Sequence, residues 1–393
     1  MPPPIRHPGE MRWETRLLLM IVAVLVVFGI VAVYGASSMV TVQGRYVDYG
    51  FALTQVSGAA IGGIFLIIAS RVDYYLWRRM AWPLLLGTLA LLLIAILPGT
   101  EPIAPVRNGA RRWIDLGPVA FQPSELARLA VVVWCAMLAS KKGELVRGFK
   151  KGVLPFIVVL GLVFLLILLE PNMSMAVLIV MLGGIVLFVA GAKLGHFVLL
   201  AGAGLLLGLT LIQSAPYRQA RLSTFLHGGD QSEAAFQITN SMIGFGSGQL
   251  LGVGLGEGSQ KMGFLPYAYS DFLFSHIGEE WGFIGVCFVV ALFAGFCWLG
   301  FRIGRTAAEP FGQYLAIGIT ALVGVSAVLH MAVNTSMMPT TGITLPFVSW
   351  GRSSQVIAML AAGILINIGR MRGKPRAQVR AQPRERARER EAA

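Results

Sequence analysis

Asp271 stands as a lone carboxylate among aromatic and apolar residues in KMGFLPYAYSDFLFSHIGEEWGFIG, flanked by Tyr267, Tyr269, Phe272 and Phe274. A carboxylate in such surroundings has a raised pKa and can take a proton from a hydroxyl as a general base. The same side chain could equally cap the helix that carries Glu279 and Glu280. Glu125 and Arg128 sit three apart in QPSELARLAVVVW, hence on one helical face where each can neutralise the other. That pair reads either as a structural ion pair or as the edge of a polar cavity opening just after Pro123. Glu170 ends an apolar run at a sharp Glu-Pro-Asn turn and is expected to be an interfacial carboxylate facing water. His276 and Glu279 show only half of a di-metal carboxylate pattern, and no second copy exists. Cys135, Cys287 and Cys297 lie in apolar stretches without CxxC spacing, which argues against a disulfide and against zinc. The glycines Gly252, Gly254, Gly256 and Gly258 have no βαβ context, so a dinucleotide site is rejected and a tightly turned loop remains.

Membrane helices must position these groups. Of 393 residues 56% are apolar and 13% charged, against about 45–50% and 25% in ordinary soluble domains. Mean hydropathy is +0.71. Ten stretches are long and apolar enough to approach the roughly 20 residues that cross a bilayer: 17–34, 51–69, 81–97, 123–140, 153–169, 173–190, 195–213, 281–300, 313–333 and 355–368. The composition excludes a soluble enzyme, a secreted disulfide scaffold and a disordered chain. The expected fold is an all-α polytopic membrane protein of about ten transmembrane helices, with a large extracytoplasmic loop before the eighth.

The net charge of +13 is topogenic and needs no nucleic acid to explain it. With the N-terminus in the cytoplasm, 23 basic residues fall on the cytoplasmic side and 8 on the other, as the positive-inside rule requires. The chain then divides into a cytoplasmic N-terminus (1–16), a membrane domain (17–369) and a basic cytoplasmic tail (370–393) expected to be disordered. No cleavable signal is visible, because the first apolar run is long and lacks an early cleavage motif. The loop 214–280 is the longest, and with its glycine and aromatic patterning it reads as functional. A shorter loop, 99–122, lies on the same face.

At this point the residues resemble the FtsW/RodA (SEDS) family of bacterial cell division, elongation and sporulation. The likeness rests on motifs in order: NGARRWIDLGPVAFQPSELARLA (108–130), LLEPNMSMAVLI (168–179), PYRQARLSTFL (216–226), FQITNSMIGFGSGQLLGVGLGEGSQKMGFLPYAYSDFLF (236–274), IGEEWGFIG (277–285) and MPTTGITLPFVSWGRSS (338–354). The EPN turn, the VGLGEGSQK stretch and the PTTG motif are closer to the division branch than to the elongation branch. Several positions depart from the pattern. The family commonly has Glu and His where this chain has Tyr267 and Tyr269, Lys at Arg128, Asp at Asn172, and Tyr and Gly at Trp350 and Arg352.

The resemblance implies a glycosyltransferase of the inner (cytoplasmic) membrane that polymerises lipid II into peptidoglycan strands. Its partners would be a class B penicillin-binding transpeptidase and the division or elongation machinery. Asp271 is then the catalytic carboxylate that deprotonates the acceptor sugar. Substrate binding would fall to Arg112, Trp113, Glu125, Arg128, Arg218, Arg221, Gln237, Lys261, Ser349 and Ser353, the cations meeting the charge of a departing pyrophosphate. No cofactor is required by the sequence. A divalent cation (Mg) could assist, yet no ligand cluster demands one. Two rivals stay open at this stage: a flippase that moves lipid II across the bilayer, and a non-catalytic scaffold for the transpeptidase.

Overall fold

Proline and charge punctuate a chain that otherwise satisfies its backbone within helices, as a span in hydrocarbon must. The computed structural model describes residues 10–38, 41–42, 45–46, 49–107, 109–115, 117, 120–227 and 233–371. The expected tail after Arg370 lies almost wholly outside them, as do the first nine residues. Twelve α-helices are present among the described residues: α1 (Glu10–Ser37), α2 (Gly50–Arg71), α3 (Tyr75–Ile96), α4 (Pro123–Lys142), α5 (Leu154–Leu169), α6 (Met173–Val189), α7 (Leu194–Gln213), α8 (Pro216–His227), α9 (Glu233–Gly248), α10 (Leu273–Arg305), α11 (Pro310–Asn334) and α12 (Arg352–Arg370). Two short antiparallel hairpins accompany them, β1 (Thr41–Val42) with β2 (Arg45–Tyr46), and β3 (Ile114–Asp115) with β4 (Ala120–Phe121).

A helix forms at each of the ten expected stretches. Eight of these are long and apolar enough to cross a membrane by length and composition. The other two are α6, which is short at 17 residues, and α4, whose apolar character is diluted by Glu125, Arg128, Lys141 and Lys142. The protein is a multi-pass membrane protein.

Burial sorts the helices. α4, α11 and α12 form the interior, whereas α7 has no buried residue and stands at the rim. The α2–α12 seam is built on small residues, which let backbones approach. A Cβ on Gly58 would meet Gln355 Oε1 at 2.5 Å, and one on Gly62 would meet Met359 Sδ at 2.6 Å. Gly363 of α12 answers from the other side, 2.5 Å from the Leu66 carbonyl by the same measure.

The long loop differs from expectation. It is not loop throughout: it holds α8 and α9, and α10 begins at Leu273, before the stretch 281–300. Glu279 and Glu280 interrupt the apolar pattern in sequence, yet both are buried inside α10. Glu279 accepts the Ser259 amide at 2.7 Å and the Gln260 amide at 3.2 Å, and Lys261 Nζ lies 3.1 Å from Glu280. A break follows at Gly282, with φ 64 and ψ −164. Its left-handed backbone favours glycine, and a Cβ there would come within 2.3 Å of the Gly252 nitrogen. The freed amides are used by the glycine-rich turn: Phe283 N donates to Gln249 O at 2.9 Å and Ile284 N to Leu250 O at 3.2 Å.

Contacts of Arg112 with the Glu170 carbonyl, of Arg221 with the Thr340 carbonyl and of Trp350 with Tyr269 and Phe51 gather described residues of the connections after α3, α5, α7 and α11 at one end of the bundle.

Candidate active site

Asp271 precedes α10 by two residues, in a turn closed on the Tyr267 carbonyl, which accepts the amides of Ser270, Asp271 and Phe272 at 3.0, 3.1 and 3.3 Å. Tyr267 itself has φ 60, an uncommon conformation for a bulky residue. The residue capping α10 is Phe272, with no side-chain cap bond, so the helix-cap alternative for Asp271 is set aside. Two other segments hold the turn. Asn334, fully buried at the end of α11, donates to Asp271 O at 3.0 Å and His330 O at 2.8 Å, and accepts Ser275 N at 3.0 Å. Ser349 Oγ donates to Ser270 O at 2.7 Å. Trp350 N donates to Tyr269 O at 3.0 Å. The carboxylate is therefore fixed through its backbone, while its Oδ2 faces exposed Gly342, 3.9 Å from where a Cβ would stand.

Two arginines distant in sequence act on this carboxylate. Burial pushes the Asp271 carboxyl up to about 6, opposed by a Ser270 hydrogen bond and by the positive fields of Arg221 and Arg112. Arg221, on α8, donates to Thr340 O at 3.3 Å. Arg112, just before β3, donates to Glu170 O at 3.1 Å and also to Pro171 O.

That contact corrects the expectation for Glu170. Instead of facing water it is fully buried, because the EPN turn folds under Arg112 and the α5–α6 corner closes over it. Neither carboxyl oxygen has a hydrogen-bond partner among the described residues. Burial pushes its carboxyl up to about 8 against the pull of Arg112, which makes it a neutral acid near pH 7.

Glu125 and Arg128 are both buried, at 3% and 1% exposure, and ion-paired. Arg128 also donates to Ser326 Oγ at 3.2 Å and Ser354 Oγ at 3.3 Å, so the pair turns inward. Ser353 Oγ accepts the Gln122 amide at 3.2 Å and ties the start of α12 to the start of α4.

Other expected residues stand apart. Lys261 is buried and engaged with Glu280 and with Gly256 O at 2.6 Å. Arg218 donates to Leu211 O at 2.8 Å, bracing the end of α7. Gln237 donates to Glu233 on its own helix at 3.2 Å. Trp113 is partly buried beside β3. His276 lies 3.4 Å from Glu280, not beside Glu279. Among the described residues no group of three or more His, Cys, Asp or Glu is placed to hold a metal ion.

Sequence reasoning missed Asn334, Gly342 and the buried state of Glu170. The available signal was an Asn in an apolar helix and a strained proline turn. Together, a partly buried carboxylate with its pKa near 6 and two arginines suit attack by a hydroxyl on a carbon that carries an anionic leaving group.

Comparison with known proteins places this geometry. Residues 15–374 match the FtsW/RodA/SpoVE family, described as Cell cycle protein. A protein of Geobacter sulfurreducens named "Probable peptidoglycan glycosyltransferase FtsW" is 39% identical over 366 residues, 93% of this chain and 97% of that one. "Stage V sporulation protein E" of Bacillus subtilis is 36% identical over 356 residues, 90% and 96% of the two chains. A solved chain from "Structural coordination of polymerization and crosslinking by a peptidoglycan synthase complex" has the same fold, with a TM-score of 0.74 at 24% identity over 91% of this chain and 98% of that one. The chain belongs to the FtsW/RodA/SpoVE family of cell cycle proteins.

Proposed function

We propose that this protein is a peptidoglycan glycosyltransferase that polymerises lipid II at the outer face of the cytoplasmic membrane, in cell division. The observation that carries the reading is the convergence of Asp271 with Arg112 and Arg221 at the end of the bundle that holds the long loop. The names of the FtsW relatives support it. The positive-inside count supports both termini in the cytoplasm and this end outside, and ten crossings follow if α4 and α6 also span.

Asp271 takes the proton of the acceptor sugar hydroxyl. The resulting oxygen bonds to the anomeric carbon of the donor as the bond to pyrophosphate breaks, with inversion and no covalent enzyme intermediate. Arg112 and Arg221 meet the charge that grows on the departing pyrophosphate. Glu125–Arg128 holds α4 to α11 and α12 beneath the site. A class B penicillin-binding transpeptidase is the partner that this activity calls for, since the strands made need crosslinking.

Purified protein given labelled lipid II tests the proposal. Glycan chains, reduced below about a tenth in Asp271→Asn as loss of a general base demands, support it. Redistribution of lipid II between leaflets without chains would mean a flippase, and neither outcome would mean a scaffold.

A further inference from the structure

Three of the positions where this chain departs from its family pattern lie in one aromatic cluster beside Asp271. Tyr269 packs on Phe51 with ring centroids 4.4 Å apart and meets Trp350 edge-on at 5.5 Å; Phe51 and Trp350 are 5.2 Å apart. Tyr267 stands next in the row, 6.5 Å from Tyr269 at an interplanar angle of 61°. It is 41% exposed, although its carbonyl anchors the Asp271 turn. Burial, together with the fields of Tyr267 and Asp271, pushes the Tyr269 hydroxyl up to about 12, so it stays neutral. Gly342 leaves the approach to Asp271 open on the other side.

We infer that Tyr267 and Tyr269 form a carbohydrate subsite that docks a pyranose ring of the acceptor against Asp271. A pyranose has an apolar C–H face rimmed by hydroxyl and amide groups. An exposed aromatic ring covers such a face, and a phenol at its edge meets the polar rim. Tyr269 is locked by Phe51 and Trp350, and Tyr267 is held at a strained φ by a turn with three hydrogen bonds. Both rings are thus ordered before substrate arrives, which lowers the entropy lost on binding. Where the family commonly has Glu and His, this chain presents two phenol rings.

The inference rests on Asp271 as the base that acts on the acceptor. The test uses the full-length protein with lipid II as the probe. Tyr267→Ala should raise the lipid II concentration for half-maximal rate by roughly threefold to tenfold while the maximal rate stays within about twofold. Tyr267→Phe, which keeps the ring, should stay near wild type, and Tyr269→Phe should raise the half-saturating concentration by about threefold. A purely structural role predicts a lowered Tm and lowered maximal rate instead. Lipid II binding to Asp271→Asn, measured with and without Tyr267→Ala, gives a readout free of turnover, and the double variant should bind more weakly. Equal binding, with Asp271→Asn inactive, removes the subsite and leaves the base. Full activity of Asp271→Asn removes the base and the acceptor assignment with it.

Discussion

Protonation of Asp271 should set the acid limb of activity. With the carboxyl near 6, about 90% is ionised at pH 7 and about 10% at pH 5, so a rate that needs the base falls about tenfold between them. A carboxylate at its ordinary value near 3.9 would leave the profile almost flat over that range. Arg221 and Arg112 both favour the ionised form. Removing one of them must therefore raise the apparent pKa and move the limb to higher pH. Arg221→Gln should shift the midpoint upward from about 6, and at pH 6.5 it should lose a larger share of its own plateau rate than wild type does. Its plateau should also fall, since the same guanidinium holds Thr340 and is proposed to meet the leaving group; the midpoint is what reports on Asp271. The assay is the initial rate of glycan formation from labelled lipid II in detergent, from pH 5 to 8. A flat wild-type profile between pH 5 and 7 would refute the assignment, as would a limb that stays in place or moves down in Arg221→Gln.

Further outcomes follow from the buried charges. Folded Glu170 keeps its proton up to about pH 8 while the unfolded chain releases it near 4.5, so the folded state binds more protons between these values and stability falls as pH rises through them. Thermal unfolding should show this decline, and Glu170→Gln should flatten it; identical slopes would count against a buried neutral acid. Arg128→Ala strands buried Glu125 and should cost about 3–5 kcal/mol, with partial recovery in the double variant carrying Glu125→Gln; chemical denaturation in detergent measures both, and an unaltered midpoint would deny the pair any structural role. Asn334→Ala leaves the Asp271 carbonyl and the Ser275 amide without their partner, at about 1–3 kcal/mol for each buried group. Its polymerisation rate should fall with its Tm, and a stable variant of full activity would show that the Asp271 turn holds itself.

The fold class was legible in the sequence because it depends on local pattern. Apolar runs near the bilayer length, separated by basic or glycine-rich breaks, leave helices as the solution available to the backbone. The lone carboxylate in an aromatic run marked Asp271 without any partner in view. What the pattern misread were charges whose environment is supplied from far along the chain. Glu279 and Glu280 could be read either as the end of the long loop or as part of a helix; they lie within α10, where Ser259, Gln260 and Lys261 receive them. Glu170 looked exposed, yet the turn it begins is folded under Arg112. The grouping of Arg112, Arg221, Asn334 and Gly342 around Asp271 was decided by tertiary structure alone. They are held by bonds from Arg221 to the Thr340 carbonyl, from Arg112 to the Glu170 carbonyl and from Asn334 to the Asp271 carbonyl, and such long-range contacts leave no periodic trace in any one segment. The same holds for electrostatics: the value near 6 for Asp271 is the balance of burial against two distant guanidinium groups, and burial exists only once the helices have packed.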